Sequence, residues 1–280
     1  MHSIEKIKLG LYEKGLPFQL KWEDKFALAK AAGFDFIEFS IDGLLPRIKR
    51  LEMKDEEFIA IREMAKSFNM PFETIALTAN RYFPLGDPDE TIREKGISIV
   101  KRTIDIASIL EVKIIQVAAY DVNGKDSTEQ TVKDACASFV EIANYAKQKN
   151  IVIALEVLED VPFFSSIEKA VKILDELNID NLKLYADYGN TASIGIDPVK
   201  DFEYNQNHIV ACHVKDALEN VCINVTYGEG IVDFDGCMDY FRKINFNGVF
   251  VAEVKSEENL EFIGLLDEIN DFIRKKMKDK

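Results

Sequence analysis

Four hydrophobic runs in the second half of the chain each close on an ionisable residue. IVIALEVL (151–158) carries Glu156, LKLYADY (182–188) carries Asp187, HIVACHV (208–214) carries His213 and GVFVAEVK (248–255) carries Glu253. A charge inside such a run is costly unless it is paired or bound. Two glutamates, one aspartate and one imidazole form a hard, oxygen-rich donor set with three negative charges. Its natural occupant is one divalent metal ion, Zn²⁺ or Mn²⁺ ahead of Mg²⁺. Each residue alone has a plainer reading, the Glu as a salt-bridge partner and the His as a satisfied core residue. Four on consecutive runs point to a metal. With only three histidines in the chain (His2, His208 and His213), a many-histidine zinc cluster is excluded.

Such residues need elements that deliver them to one place. Four further β-type runs precede these, at 8–13, 34–40, 72–79 and 113–120. All eight are nearly continuously apolar and rich in Val, Ile, Phe and Tyr, the pattern of strands buried on both faces of a parallel sheet. Amphipathic helical patterns lie between them. WEDKFALAKAAGF (22–34) stops at Gly33, as a helix C-terminus should. Capping boxes are predicted at Ser127 with Gln130 and at Ser165 with Glu168. Helical spacing also runs over 91–110 and 131–149.

Eight β/α units in 280 residues match the closure number of the α/β (β/α)8 TIM barrel, typically about 250 residues long. A doubly wound sheet would carry a Gly-rich phosphate loop after its first strand, where this chain reads YEKGLPF. The expectation is a single barrel domain over 1–280, with its catalytic rim at the C-terminal ends of the strands. Alternation puts His213, Ala211 and Ile209 on one face and Cys212 on the other. His208 begins its strand at the opposite rim and is read as structural.

Composition narrows the function. Against 35 bases stand 49 acids, a net charge of -14, which argues against wrapping DNA or RNA. With 47% hydrophobic residues, disorder and disulfide miniprotein classes are excluded. The four cysteines, at 136, 212, 222 and 237, form no CxxC pair and read as small buried hydrophobes in a reducing cytosol. No signal-peptide core and no apolar stretch of about 18 residues occurs. A soluble, cytoplasmic protein without a membrane span is expected.

The chain resembles the sugar-phosphate epimerases of the xylose-isomerase-like TIM barrel superfamily, specifically the L-ribulose-5-phosphate (or L-xylulose-5-phosphate) 3-epimerases. The resemblance is carried by GLYEKGLP (10–17), GFDFIEFSID (33–42), RYFPLGDPDE (81–90), QVAAYDV (116–122), ALEVLED (154–160), ADYGN (186–190), HIVACHVKD (208–216) and YGEGIVDF (227–234). HVKD and GEGxVDF mark the superfamily, whereas YEKxLP and RxFPLG are more particular to the phosphate-sugar group. Asn80 stands where family members carry His, and LEVLED where they carry a MEIMD-like segment. The resemblance implies that Glu156, Asp187, His213 and Glu253 hold the metal and that the two glutamates are also the acid/base pair. It implies a ketopentose 5-phosphate as substrate, and a homodimer is expected.

Epimerisation at C3 of a ketose removes a carbon-bound proton beside the C2 carbonyl. Such a proton is too weakly acidic for an unaided carboxylate. A Lewis-acidic cation contributes several kcal/mol towards the developing enediolate. Inversion then needs a base on one face and an acid on the other, which glutamates on strands five and eight could provide. Sharing one site raises the pKa of one of them.

Phosphate recognition has several candidates. Lys14, Asn80 and Arg81 lie on the rim, and the strand-seven loop holds Lys215, Tyr227, Gly228 and Gly230 in the customary barrel phosphate position. Their plainer readings are solvated charges, a simple turn, and a Lys215–Asp216 ion pair. Glu13 and Glu38 could meet sugar hydroxyls or be structural pairs. The basic C-terminal segment 274–280 reads as a helix end answering the macrodipole. A 3-epimerase of unphosphorylated ketoses would use the same ligands, and an aldose–ketose isomerase, which would need a proton or hydride moved between C1 and C2, is a second alternative. A phosphodiesterase acting on damaged DNA conflicts with the charge and the few histidines. A sugar sensor or scaffold would leave the four rim residues without work.

Overall fold

Each apolar run yields a strand shorter than itself. The computed structural model describes residues 4–43, 45–204, 207–255 and 264–278, so His2 lies outside the described residues. The strands are β1 Leu9–Tyr12, β2 Phe36–Ile41, β3 Phe72–Leu77, β4 Ile114–Ala118, β5 Val152–Glu156, β6 Leu182–Asp187, β7 Ile209–Val214 and β8 Val249–Ala252. Neighbours pair in parallel in sequence order, and β8 returns to β1 to close the barrel. The helices are α1 Trp22–Ala31, α2 Asp55–Ser67, α3 Glu90–Leu110, α4 Glu129–Lys147, α5 Ile167–Leu177, α6 Tyr188–Ser193, α7 Pro198–Phe202, α8 Phe234–Lys243 and α9 Leu266–Met277. Among the described residues no helix is long and apolar enough to cross a membrane.

Strand alternation divides the core into two layers. Tyr12, Phe36, Ala76, Ala154, Tyr185, Ala211 and Val251 form the barrel interior, while Leu11, Ile37, Phe39 and their neighbours pack outward under the helices. Ile209 departs from the expected face. The β6–β7 register moves from Leu184↔Ile209 to Tyr185↔Ala211, and Ile209 joins the outer layer while Ala211 stays inside. Val210 is the extra residue of a bulge, which breaks period two locally.

Two helix starts fall one residue later than the capping boxes predicted. Thr128 caps α4 and pairs reciprocally with Thr131, and Ser166 caps α5 by accepting from the Lys169 N–H. Ser127 is instead drawn off to donate to Asp121 at 2.6 Å, and Ser165 contacts the Pro162 carbonyl. The end of α1 is as expected, with Gly33 at a φ of +85° that favours glycine. His208 Nε2 lies 3.0 Å from Asp175 Oδ1, consistent with a structural role. All four cysteines are free, and Cys212, Cys222 and Cys237 are buried.

Glu13 is structural. It follows β1, is fully buried, and accepts from Lys25 Nζ at 2.6 Å, Arg50 Nη1 at 2.6 Å and the Ser40 N–H at 3.0 Å. Burial pushes its carboxyl up, but Arg50, Lys25 and Arg47 outweigh burial and hold it well below the usual carboxylate range. Glu13→Gln leaves buried cations uncompensated and is expected to cost about 3–5 kcal/mol at pH 7. A carboxylate with a depressed folded pKa stabilises above its unfolded value, near 4.3, and that stability is lost as pH falls towards the folded value. The difference between wild type and variant should therefore shrink below about pH 4. Urea unfolding at pH 7 and pH 3 checks this; an equal gap at both would contradict the assignment.

Candidate active site and metal centre

The last residues of β5 and β6, the penultimate residue of β7 and the residue after β8 bring Glu156, Asp187, His213 and Glu253 together. All four are buried, and one ligand atom from each lies within 4.8 Å of the others. His213 Nδ1 is 3.0 Å from Glu156 Oε1, 3.6 Å from Glu253 Oε2 and 3.7 Å from Asp187 Oδ2. Asp187 Oδ1 accepts from the Asn190 N–H at 2.8 Å, because Asp187 also caps α6. Its Oδ2 is buried and pairs with Lys215 Nζ at 3.0 Å, with His213 Nδ1 3.7 Å away. Gln116 on β4 donates to Glu156 Oε2.

Three buried carboxylates converging on one point are costly unless cations compensate them. Together with the His213 imidazole nitrogen they form a hard N/O donor set that fits a divalent cation. The residues therefore could hold a metal ion.

The two glutamates sit in opposite electrostatic settings. Burial pushes the Glu156 carboxyl up, against the pull of His213. Burial acts the same way on Glu253, but Lys215, Lys255 and His213 outweigh it and hold that carboxyl well below the usual range. Lys215 Nζ donates to Glu253 Oε2 at 2.7 Å, and Lys255 Nζ is 3.1 Å from Glu253 Oε1. Burial lowers the His213 pKa, but Glu38 and Glu253 more than reverse this.

A cavity of about 420 Å³ opens above this cluster, within the usual range of small-molecule sites. Glu156, His213 and Glu253 line it, with Lys14, Arg81 and Lys255 among the cations on its walls. Lys14 pairs with Asp42 at 2.8 Å. Arg81 pairs with Asp160 at 3.2 Å and donates to the Tyr120 hydroxyl at 2.8 Å.

The other predicted rim residues are engaged with the protein itself. Lys215 lines the cavity but faces inward onto Asp187 and Glu253. A side chain at Gly189 would come within 2.6 Å of its stem, so the glycine leaves the space Lys215 uses. Lys215 does not pair with Asp216. That carboxylate instead collects the N–H groups of Gly228 at 2.8 Å, Gly230 at 2.9 Å and Val232 at 3.2 Å. So pinned, Gly228 and Gly230 form a structural loop and do not line the cavity. The Tyr227 hydroxyl donates to the Val214 carbonyl at 2.6 Å, and its ring stacks on Phe234. Asn80 is fully buried and donates to the Phe83 carbonyl at 3.3 Å, so it too lies off the cavity wall.

Tyr12, Tyr120, Asp160 and Lys255 line the cavity without having been singled out. Lys255 had a signal, standing two residues beyond Glu253. Glu38 had one too, as a charge inside the apolar run of β2; its carboxylate reaches His213 Nε2 at 2.8 Å.

The sequence profile of the xylose isomerase-like TIM barrel family matches residues 26–276. The chain is 32% identical over 273 residues to L-ribulose-5-phosphate 3-epimerase UlaE of Escherichia coli, covering 98% of this chain and 96% of the relative. It belongs to this epimerase family. The UlaE of Salmonella paratyphi A is 34% identical over 256 residues, covering 90% of the chain and 89% of the relative. A solved structure described as L-ribulose 3-epimerase superposes with a TM-score of 0.83 at 17% identity, over 97% of this chain and 94% of that one. At that identity the likeness is one of fold.

Proposed function

We propose that the protein is a divalent-metal-dependent isomerase that epimerises C3 of a ketopentose 5-phosphate, interconverting L-ribulose 5-phosphate and L-xylulose 5-phosphate. The observation that carries this is the buried cluster of Glu156, Asp187, His213 and Glu253, in which burial pushes the Glu156 carboxyl up while Lys215 and Lys255 hold the Glu253 carboxyl down. These four residues would hold the cation, Zn²⁺ or Mn²⁺, which when bound supplies Lewis-acid stabilisation of charge on substrate oxygens.

The chain's own residues then move the proton. Glu253, kept ionised by Lys215 and Lys255, is suited to take a proton from C3. Glu156, pushed towards its protonated form by burial, is suited to return one to the other face. Two carboxyls whose surroundings drive their pKa values apart are an acid/base pair. Running the reaction in reverse exchanges the roles. Gln116 holds the Glu156 carboxyl in orientation through Oε2. A sugar phosphate is too highly charged to leave the cell unaided, so an enzyme acting on it belongs in the cytoplasm.

Lys14 and Arg81, on the cavity wall, are suited to receive the phosphate. Arg81→Leu should raise KM for the phosphate ester about tenfold, as expected for loss of a charge-assisted hydrogen bond, with kcat little changed. Steady-state kinetics check this, and an unchanged KM would remove Arg81 from phosphate recognition. The class of substrate is tested by comparing kcat/KM for L-ribulose 5-phosphate and free L-ribulose. A preference of at least about tenfold for the ester is expected; equal turnover would make the enzyme a 3-epimerase of unphosphorylated ketoses.

A further inference from the structure

We infer that Glu38 is a positioning residue of the metal centre: its buried carboxylate holds the His213 ring so that Nε2 carries the proton and Nδ1 is the ligand atom. This rests on the proposal that the Glu156–Asp187–His213–Glu253 cluster binds a divalent cation. Glu38 stands on β2, across the barrel interior from β7, and is fully buried. Its Oε2 lies 2.8 Å from His213 Nε2. Its Oε1 accepts from Thr74 Oγ1 at 2.8 Å and from the Tyr185 hydroxyl at 2.7 Å. Residues from β2, β3, β6 and β7 thus form one network below the ligand layer.

Three features give the network its direction. First, a carboxylate deep in a barrel is tenable only when its oxygens are filled with donors. Thr74 and Tyr185 fill one oxygen, leaving the other for the imidazole N–H. Second, Nδ1 faces the three ligand carboxylates while Nε2 faces Glu38, so the two ring nitrogens have different partners. A ring flip would replace both nitrogens with carbons at those partners. Third, the Tyr185 ring packs against the imidazole with centroids 4.5 Å apart, and Tyr12 lies on it at 5.8 Å. An imidazole that donates one N–H to a carboxylate has a fixed tautomer and a more basic second nitrogen. Glu38 would act on the cation through His213 and touch neither cation nor substrate.

The test begins with wild-type protein, metal-stripped and titrated with Zn²⁺. A wild type that binds no divalent cation removes the metal centre itself, and this inference with it. For protein that binds, ¹⁵N-histidine NMR of the zinc form locates the proton, and the three histidines keep the spectrum assignable. The expected result is a His213 with protonated Nε2 and metal-shifted Nδ1. A proton on Nδ1, or zinc on Nε2, overturns the inference while leaving the metal centre standing. Competition with a chromophoric chelator then reads Glu38→Gln, which should weaken zinc binding about 10–100-fold with the metal-free melting temperature near wild type. Tyr185→Phe, which keeps both the Glu38 charge and the His213 contact, should weaken it only a few-fold. Zinc affinity of Glu38→Gln within twofold of wild type overturns the assignment. If Glu38→Gln does not fold, the NMR of the wild-type zinc form decides alone.

Discussion

Glu156→Gln and Glu253→Gln should each abolish exchange of the C3 hydrogen with solvent deuterium. Gln is nearly isosteric with Glu but cannot carry a proton to or from carbon, so the change removes a chemical capacity at nearly constant shape. Positioned acid/base groups contribute about 10²–10⁴-fold, and each substitution also replaces a carboxyl of the metal set with an amide, so kcat should fall by about 10³-fold or more. Asp187→Asn separates the two effects. Asp187 belongs to the cluster but has no proposed proton-transfer role, so its variant should lose metal affinity yet recover exchange at saturating metal. The glutamate variants should not recover. Persistent C3 exchange in both glutamate variants would falsify the two-glutamate mechanism.

Removing the metal has the second large effect. Extensive chelation should bring turnover below about 1% of the loaded enzyme, since Lewis-acid stabilisation is worth several kcal/mol and each 1.36 kcal/mol is tenfold in rate. Zn²⁺ or Mn²⁺ should restore it. The fold should survive, because Lys215 and His213 already place positive charge among the carboxylates: Lys215 Nζ lies 3.0 Å from Asp187 and 2.7 Å from Glu253. The loaded form should melt higher, by about 2.7 kcal/mol of stabilisation when free metal is 100 times its dissociation constant. Thermal melts with and without chelator check both parts. Full activity in exhaustively stripped protein would contradict the metal centre.

The contrast between Glu253 and Lys215 shows what the sequence could and could not carry. Glu156, Asp187, His213 and Glu253 were legible because each interrupts an apolar run at its C-terminal end, and a parallel barrel brings all such ends to one rim. That needs only periodicity and closure. Lys215 was read from the sequence as a phosphate candidate or a partner of Asp216, and its inward partners Asp187 and Glu253 were not legible. They depend on Gly189 leaving space for its stem, a contact between α6 and the residue that follows β7. Tyr227, Gly228 and Gly230 stand off the wall of this cavity for a similar reason, since the loop's path is set by Asp216 gathering its N–H groups. Glu38 gave the same signal as the four ligands, a charge in an apolar run, yet its partner His213 lies 175 residues away in sequence. The bulge at Val210 had no sequence mark at all.

The most direct measurement follows wild-type protein, stripped and reloaded with Zn²⁺ or Mn²⁺, acting on L-ribulose 5-phosphate in deuterium oxide by NMR. The prediction is that L-xylulose 5-phosphate appears with deuterium at C3, and that no aldose phosphate forms. An aldose product labelled at C2, or a ketose product unlabelled at C3 after full equilibration, would contradict C3 epimerisation by proton transfer.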